Sequence, residues 1–281
     1  MLRTFRIRGV WSMCQTTRSY TQKTSNETEA SMESIKKKME KIPRIKPLGQ
    51  PPKVWEQIEK KTKDGKSLKF TIQEIPEDRH EDALQHMCTY FLAEEPTCKC
   101  HNSKNDPAFV KDMSTVWRMI FAEGIAVAAF TDNPDGGKPI IAGMNALGIS
   151  FKDHDILADF PFTSQNCKNT FDIMSDATKL AYDHYKTDKY LAAIGLSVAP
   201  KYRGYGLGTH ILKIREHVGR EYKIPATVTV FTSIFSQNNA AKAGFEELTE
   251  RKFVDLVDKN GKEYFPGIES KTFKIMGRKL P

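Results

Sequence analysis

Between residues 191 and 212 the chain runs through an apolar stretch ending at Ala199-Pro200, then Lys201-Tyr202-Arg203-Gly204-Tyr205-Gly206-Leu207-Gly208-Thr209, then His210-Ile211-Leu212. The run before Pro200 reads as a buried strand and the glycines as a sharp turn, while Ile211, Leu212 and Ile214 give the following helix an apolar face. Gly204, Gly206 and Gly208 let backbone N–H groups turn towards one point without a Cβ in the way, and the helix adds the positive end of its dipole. An anionic, phosphate-bearing ligand is therefore expected here, with Arg203 supplying a charge. An ordinary glycine turn is the alternative, but strand before and helix after favour a cradle. A dinucleotide loop does not fit, because it needs an acidic residue after the next strand and Glu221 lies before that strand.

Charge is unevenly spread. Residues 1–66 hold 16 basic and 7 acidic residues, a balance of +9, and the remaining 27 basic and 28 acidic residues leave −1. The folded part is thus nearly neutral, which argues against nucleic acid as a partner, since phosphate neutralisation needs a basic face on the fold itself. Residues 1–26 carry Arg3, Arg6, Arg8, Arg18 and Lys23 with no acid, and Leu2, Phe5, Ile7 and Val10 can share one helical side. That is the composition of a mitochondrial transit segment, and Arg18-Ser-Tyr20 resembles its processing site. A disordered basic tail on a cytosolic protein is the alternative. No apolar run reaches the roughly 20 residues of a membrane span, so membrane insertion is not expected. Five sparse cysteines point to reduced thiols, and Cys98-Lys-Cys100-His101 lacks the second ligand pair of a structural zinc site, so no metal is expected.

Residues 27–66, rich in Lys and Pro, read as a linker with one short helix near 32–41. From residue 67 the pattern is strand (Leu68, Phe70, Ile72), helix (Leu84, Met87, Phe91), and a second helix opened by Asp106-Pro107. Strands at 124–130 and 140–151 flank a hairpin connection, and a helix covers 171–185. Then come the strand at 191–198, the helix after the glycine loop, a strand at 227–231, a short helix ending near Gly244, and a terminal hairpin. This is one mixed α/β domain over residues 67–281.

The spacing Arg203-x-x-Gly206-x-Gly208, the element order, and the Gly244-Phe245 ending of the segment 231–246 resemble the GNAT N-acetyltransferases. Tyr90-Phe91-Leu92-Ala93-Glu94-Glu95-Pro96, with Thr232 and Ser236 four residues apart, is similar to the arylalkylamine N-acetyltransferase-like group common in insects. The resemblance implies a central, mostly antiparallel sheet splayed at an acetyl-CoA site, with the helix at 171–185 as an insertion. It implies acetyl-CoA as cosubstrate and a small, arylalkyl-type amine as acceptor, handled by a monomer. A protein acceptor or a longer acyl donor keeps the same fold, and a coenzyme A-binding regulatory protein without catalysis is the third reading.

Acetyl transfer needs a neutral nitrogen, a polarised thioester carbonyl and a proton for the departing thiolate. The resemblance places Glu95 as the proton acceptor, with Glu94 as the alternative; physically, a carboxylate before a proline sits on a rigid corner. Thr232 and Ser236, at i and i+4, could contact coenzyme or relay a proton, or could merely cap a helix. Many GNAT enzymes place a tyrosine where Ala240 stands, so a tyrosine acid at that point is excluded. Coenzyme contacts are expected from Leu196 and Val198, which would pair with the pantetheine arm as with an added strand, and from Arg203, Gly204, Tyr205, Gly206, Leu207, Gly208 and Thr209. Tyr90, Phe91, Trp117, Phe160 and Phe162 could line an arylalkyl pocket or simply build core. The histidines, His86 included, read as surface or supporting residues.

Overall fold

The computed structural model describes residues 44–281, apart from 63, 66, 156 and 158. The transit segment and the short helix near 32–41 lie outside the described residues. Eight strands form one sheet in the order β1-β2-β3-β4-β5-β6-β8-β7: β1 Val54–Lys61, β2 Ser67–Glu74, β3 Val127–Thr131, β4 Ile140–Phe151, β5 Lys189–Val198, β6 Ala226–Phe231, β7 Glu246–Lys252 and β8 Thr272–Lys279. Neighbours run antiparallel throughout except β5 and β6, which are parallel and paired only at Leu191–Thr227 and Ala192–Val228. Beyond Ala192 the two strands part, leaving the V-shaped opening expected of the sheet.

The helices are α1 His80–His86, α2 Pro96–Cys100, α3 Pro107–Ala122, α4 Gln165–Thr178, α5 Leu180–Tyr185, α6 Leu207–Tyr222 and α7 Ile234–Lys242. α1 continues as a π-helical stretch over Met87–Phe91 and a last turn at Leu92–Glu94. Asp106 caps α3 by accepting from the backbone N–H of Ala108 and Phe109, with Pro107 at the first helical position, as its sequence predicts. α6 packs on one sheet face, where Ile211, Ile214 and Val218 meet Phe70, Val127, Ala142 and Leu191. On the other face, Ala177, Ala181 and Tyr182 of α4 and α5 meet Tyr190, Val228 and Phe273. The helix expected over 171–185 begins earlier, at Gln165, where the Ser164 hydroxyl accepts from the Cys167 N–H, and it breaks at Lys179 into α4 and α5.

Two expectations need correction. Residues 44–61 are not linker: β1 pairs with β2 along its length, Trp55 and Ile58 pack on the core, and the Ile45 and Lys46 N–H groups donate to the Glu123 carbonyl. The Lys46 ammonium lies buried against Glu74, which also accepts from the Tyr222 hydroxyl at 2.6 Å. An edge strand needs little apolar content and is protected by charge, so Lys-rich composition hid it. His86 is core rather than surface: it is 6% exposed, and burial pushes its pKa down to about 4. Among the described residues no helix is long and apolar enough to cross a membrane.

Candidate active site

The glycine loop leaves β5 through a 3-10 turn at Pro200–Tyr202 and enters α6 with Gly206 as its N-cap. Gly204 and Gly206 hold φ of +85° and +77°, backbone that side chains rarely adopt, while space around both is open. Gly208 has ordinary helical backbone; a Cβ there would come within 3.2 Å of the Asn239 side chain, so this glycine serves the close approach of α7. Arg203 donates through Nε to the Val198 carbonyl at 2.9 Å and pairs through Nη2 with Glu94. Tyr205 leans on Phe70 in the core, and the Thr209 hydroxyl bonds Asn239, so neither side chain lines the cavity below the loop.

That cavity, about 880 Å³, runs from the loop through the splay to the sheet face beneath α3 and α4. It brings together Arg203, Gly204, Gly206, Leu207 and Gly208 with Leu196 and Val198 on β5, and with Glu95, Thr232 and Ser236. Of the aromatic residues singled out in the sequence, Tyr90 and Phe91 line it; Trp117, Phe160 and Phe162 do not, and Phe109 and Phe171 take their place.

Glu95 forms the corner between α1 and α2, with φ −62° and ψ 130°, the extended backbone expected before Pro96. Its Oε2 accepts from the Thr97 hydroxyl at 2.5 Å and the Cys98 N–H at 2.8 Å, and its Oε1 accepts from the Thr232 hydroxyl at 2.6 Å. Three donors therefore fix one carboxylate at the mouth of the splay. Glu94 points elsewhere, to Arg203. Burial, reinforced by Glu95, pushes the neighbouring Cys98 thiol well above its usual range, so it is no nucleophile at neutral pH.

Thr232 and Ser236 share the cavity, but not a helical face: α7 begins at Ile234, with Ser233 as N-cap, so Thr232 lies before the helix. Ser236 closes a capping box with Ser233, accepting from the Ser233 N–H at 3.2 Å and donating to its carbonyl at 2.8 Å. Ala240 is buried in a small cluster with Phe231, Ala243 and Phe245.

Three features escaped the sequence reading. Gly195 makes a bulge: between Asn145–Leu196 and Leu147–Ala193, β5 has two residues against one of β4. Its φ is +102°, and a Cβ would meet Met87 Cε at 2.5 Å and the Phe91 ring at 3.0 Å. A glycine inside a strand pattern is the available signal. The bulge is tied down by Trp117 Nε1 donating to the Ile194 carbonyl and Asn145 Nδ2 donating to the Gly195 carbonyl, both at 2.8 Å. Arg215, 1% exposed, spans the base of the splay: Nε donates to Asn145 Oδ1 at 3.0 Å, and Nη1 to the Thr227 and Thr229 hydroxyls at 3.2 and 2.7 Å. Among the described residues it has no carboxylate partner, and burial lowers its pKa to about 9. Glu123, the C-cap of α3, is 3% exposed at the far end of the cavity.

No family model matches the chain, and no curated protein matches it. Solved structures do. The chain is similar to a protein named as insect arylalkylamine N-acetyltransferase 7 of the yellow fever mosquito, with 29% identity and a TM-score of 0.74 over 84% of this chain and 98% of that one. It is also similar to arylalkylamine N-acetyltransferase 2 of Aedes aegypti, with 22% identity and a TM-score of 0.64 over 75% of this chain and 99% of that one. A third likeness is to a polyamine N-acetyltransferase of Drosophila melanogaster that forms N-acetylagmatine, with 15% identity and a TM-score of 0.61 over 75% of this chain and 100% of that one. The last two likenesses show the fold alone.

Proposed function

We propose that this chain, a GNAT-fold acyltransferase resembling the insect arylalkylamine N-acetyltransferases, moves an acetyl group from acetyl-CoA to a small primary amine by direct attack in a ternary complex. The observation that carries this reading is one continuous cavity in which the glycine loop, the splayed edge of β5 and Glu95 meet. The residues fit acetyl-CoA: backbone at Gly204–Gly208 and the N-terminus of α6 suit a pyrophosphate, and the unpaired edge of β5 beyond Ala192 can take pantetheine as a neighbouring strand. When bound, acetyl-CoA supplies the activated acyl carbon. Arg203 must divide its charge between Glu94 and that ligand.

In the reaction the amine nitrogen forms a bond to the thioester carbon and the carbon–sulfur bond breaks. Glu95 takes the proton that the nitrogen loses. Thr232, already donating to Glu95, can give its hydroxyl proton to the departing sulfur and recover one from Glu95, which returns both groups to their starting state. Ser236 is less free, because its proton is committed to the Ser233 carbonyl. The purified full chain, given acetyl-CoA and a panel of arylalkylamines and alkylamines, is expected to release free thiol with at least one of them. Tight coenzyme A binding with no thiol release from any amine, peptide or longer acyl donor would instead favour the binding-only reading.

The leader belongs to the same proposal: residues 1–26 direct the chain to the mitochondrial matrix and are removed there, motivated by their arginines and lack of acids. Residues 1–30 fused to a fluorescent reporter are expected to label mitochondria. A diffuse cytosolic signal would replace the matrix with the cytosol.

A further inference from the structure

We infer that the acceptor end of the cavity is built for a dication: an amine that presents its reacting nitrogen to Glu95 and a second ammonium to the buried carboxyl of Glu123. This rests on the acetyl-transfer reading and names the substrate class for it.

The first observation is the sorting of charge along the cavity. Its arginines, Arg203 and Arg215, stand at the loop and at the base of the splay, on the side of the anionic coenzyme. Glu94 pairs with Arg203 at the loop, and the remainder is lined by the carboxyls Glu95, Glu123 and Asp155 and by His154, with no lysine or arginine. A wall with three carboxyls and no lysine or arginine attracts cations and repels a second anion.

The second observation is the placement of Glu123. Its Oε2 accepts the Ile149 N–H at 2.8 Å, beyond the point where β3 stops covering β4. Its Oε1 has no partner among the described residues and lies over Gly148, where a Cβ would stand only 2.6 Å away. Gly148 and Glu123 both line the cavity, so the missing side chain makes room for the carboxyl at its floor. The charged and titratable groups around it are engaged elsewhere. Lys46, whose N–H meets the Glu123 carbonyl, turns its ammonium to Glu74 and the Pro51 carbonyl, and Arg44, which donates to the Ala122 carbonyl, pairs with Glu77. Left without a cation, the buried carboxyl has its pKa raised to about 8 by desolvation.

The third observation is distance. Trp117 on α3 is bonded to the Ile194 carbonyl beside the bulge, and Glu123 follows six residues later, which is about 9 Å along a helix axis. A short linear diamine is about as long as that interval, and the apolar Ile120, Phe171 and Met174 line the same cavity.

The test compares putrescine and cadaverine with butylamine and phenethylamine on the full chain. The diamines are expected to show kcat/KM at least about 10-fold above butylamine, the scale of one buried charge-assisted contact. In Glu123→Gln, whose amide oxygen can still accept from Ile149, that ratio is expected to fall to near one. Calorimetric titration of the wild type with coenzyme A present, in buffers of different ionisation heat, gives a second reading that needs no variant. At pH 7 a diamine is expected to release about one proton more than butylamine, because an ammonium beside Glu123 displaces its proton. Equal handling of diamines and monoamines, or a preference for tyramine over phenethylamine lost in Glu123→Gln with no extra proton released, would overturn the proposal, the latter in favour of a hydroxyl site. Failure to acetylate any amine would count against the transfer reading, while the calorimetric comparison would still decide whether Glu123 takes a cation.

Discussion

Glu95→Gln is expected to lower turnover about 100-fold or more, the range set by a positioned proton acceptor, while coenzyme A binds with unchanged affinity. The glutamine can keep the local frame. Its carbonyl oxygen can take over the contacts from Thr97 and the Cys98 N–H, and its amide nitrogen then faces Thr232, whose hydroxyl can rotate to accept. What is lost is the capacity to hold the amine proton. Steady-state rates against calorimetric affinity separate the two effects. Glu94→Gln made in parallel is expected to be mild for turnover, because Glu94 meets Arg203 rather than the reacting atoms. Normal turnover in Glu95→Gln would leave deprotonation to solvent and reduce the site to one that positions its reactants.

The other large effect belongs to Gly195. Gly195→Ala places a Cβ on backbone at φ +102° and drives it against Met87 and Phe91. The strained conformation alone costs about 1–3 kcal/mol, and relief requires the bulge to flatten or the π-helical stretch to shift. Either movement displaces the strand edge that faces the splay, and a misplacement on the order of 1 Å can cost about 100-fold in rate. Denaturant melts and turnover are therefore expected to fall together. An alanine variant that melts and turns over like the parent would show that Met87 and Phe91 yield, and that the bulge does not set the site.

The difference between Glu95 and Gly195 shows how far the chain can be read without its structure. Glu95 is legible because its position depends on neighbours in sequence: a helix end, a proline and the Thr97 and Cys98 that follow. The glycine loop is legible for the same reason, since strand, turn and helix succeed one another within about twenty residues. Gly195 could be seen as a glycine in a strand, but its bulge exists only in register with Asn145 and Leu147, fifty residues away, and its crowding comes from a helix a hundred residues away. Glu123 and Arg215 are charged residues on helices, which composition places at the surface; only tertiary packing turns one over Gly148 and the other beneath the splay. β1 went unseen because an edge strand is stabilised by its partner's backbone more than by apolar side chains of its own.

The short pairing of β5 with β6 also has a meaning in terms of connectivity. The chain passes from one half of the sheet to the other a single time, between Tyr222 and Ala226. A cut at Lys223 would leave β1 to β5 intact in one piece and β6, β8 and β7 in the other. Two residue pairs of the sheet, side-chain bonds such as Arg215 to Thr227 and Thr229, Glu95 to Thr232, Thr209 to Asn239 and Glu216 to Arg278, and the cores under α4 and α5 and between α6 and α7 would hold the pieces together. A molecule seated in the splay touches both. A ligand in the splay would thus act as a further cross-link between two separately connected halves of one sheet.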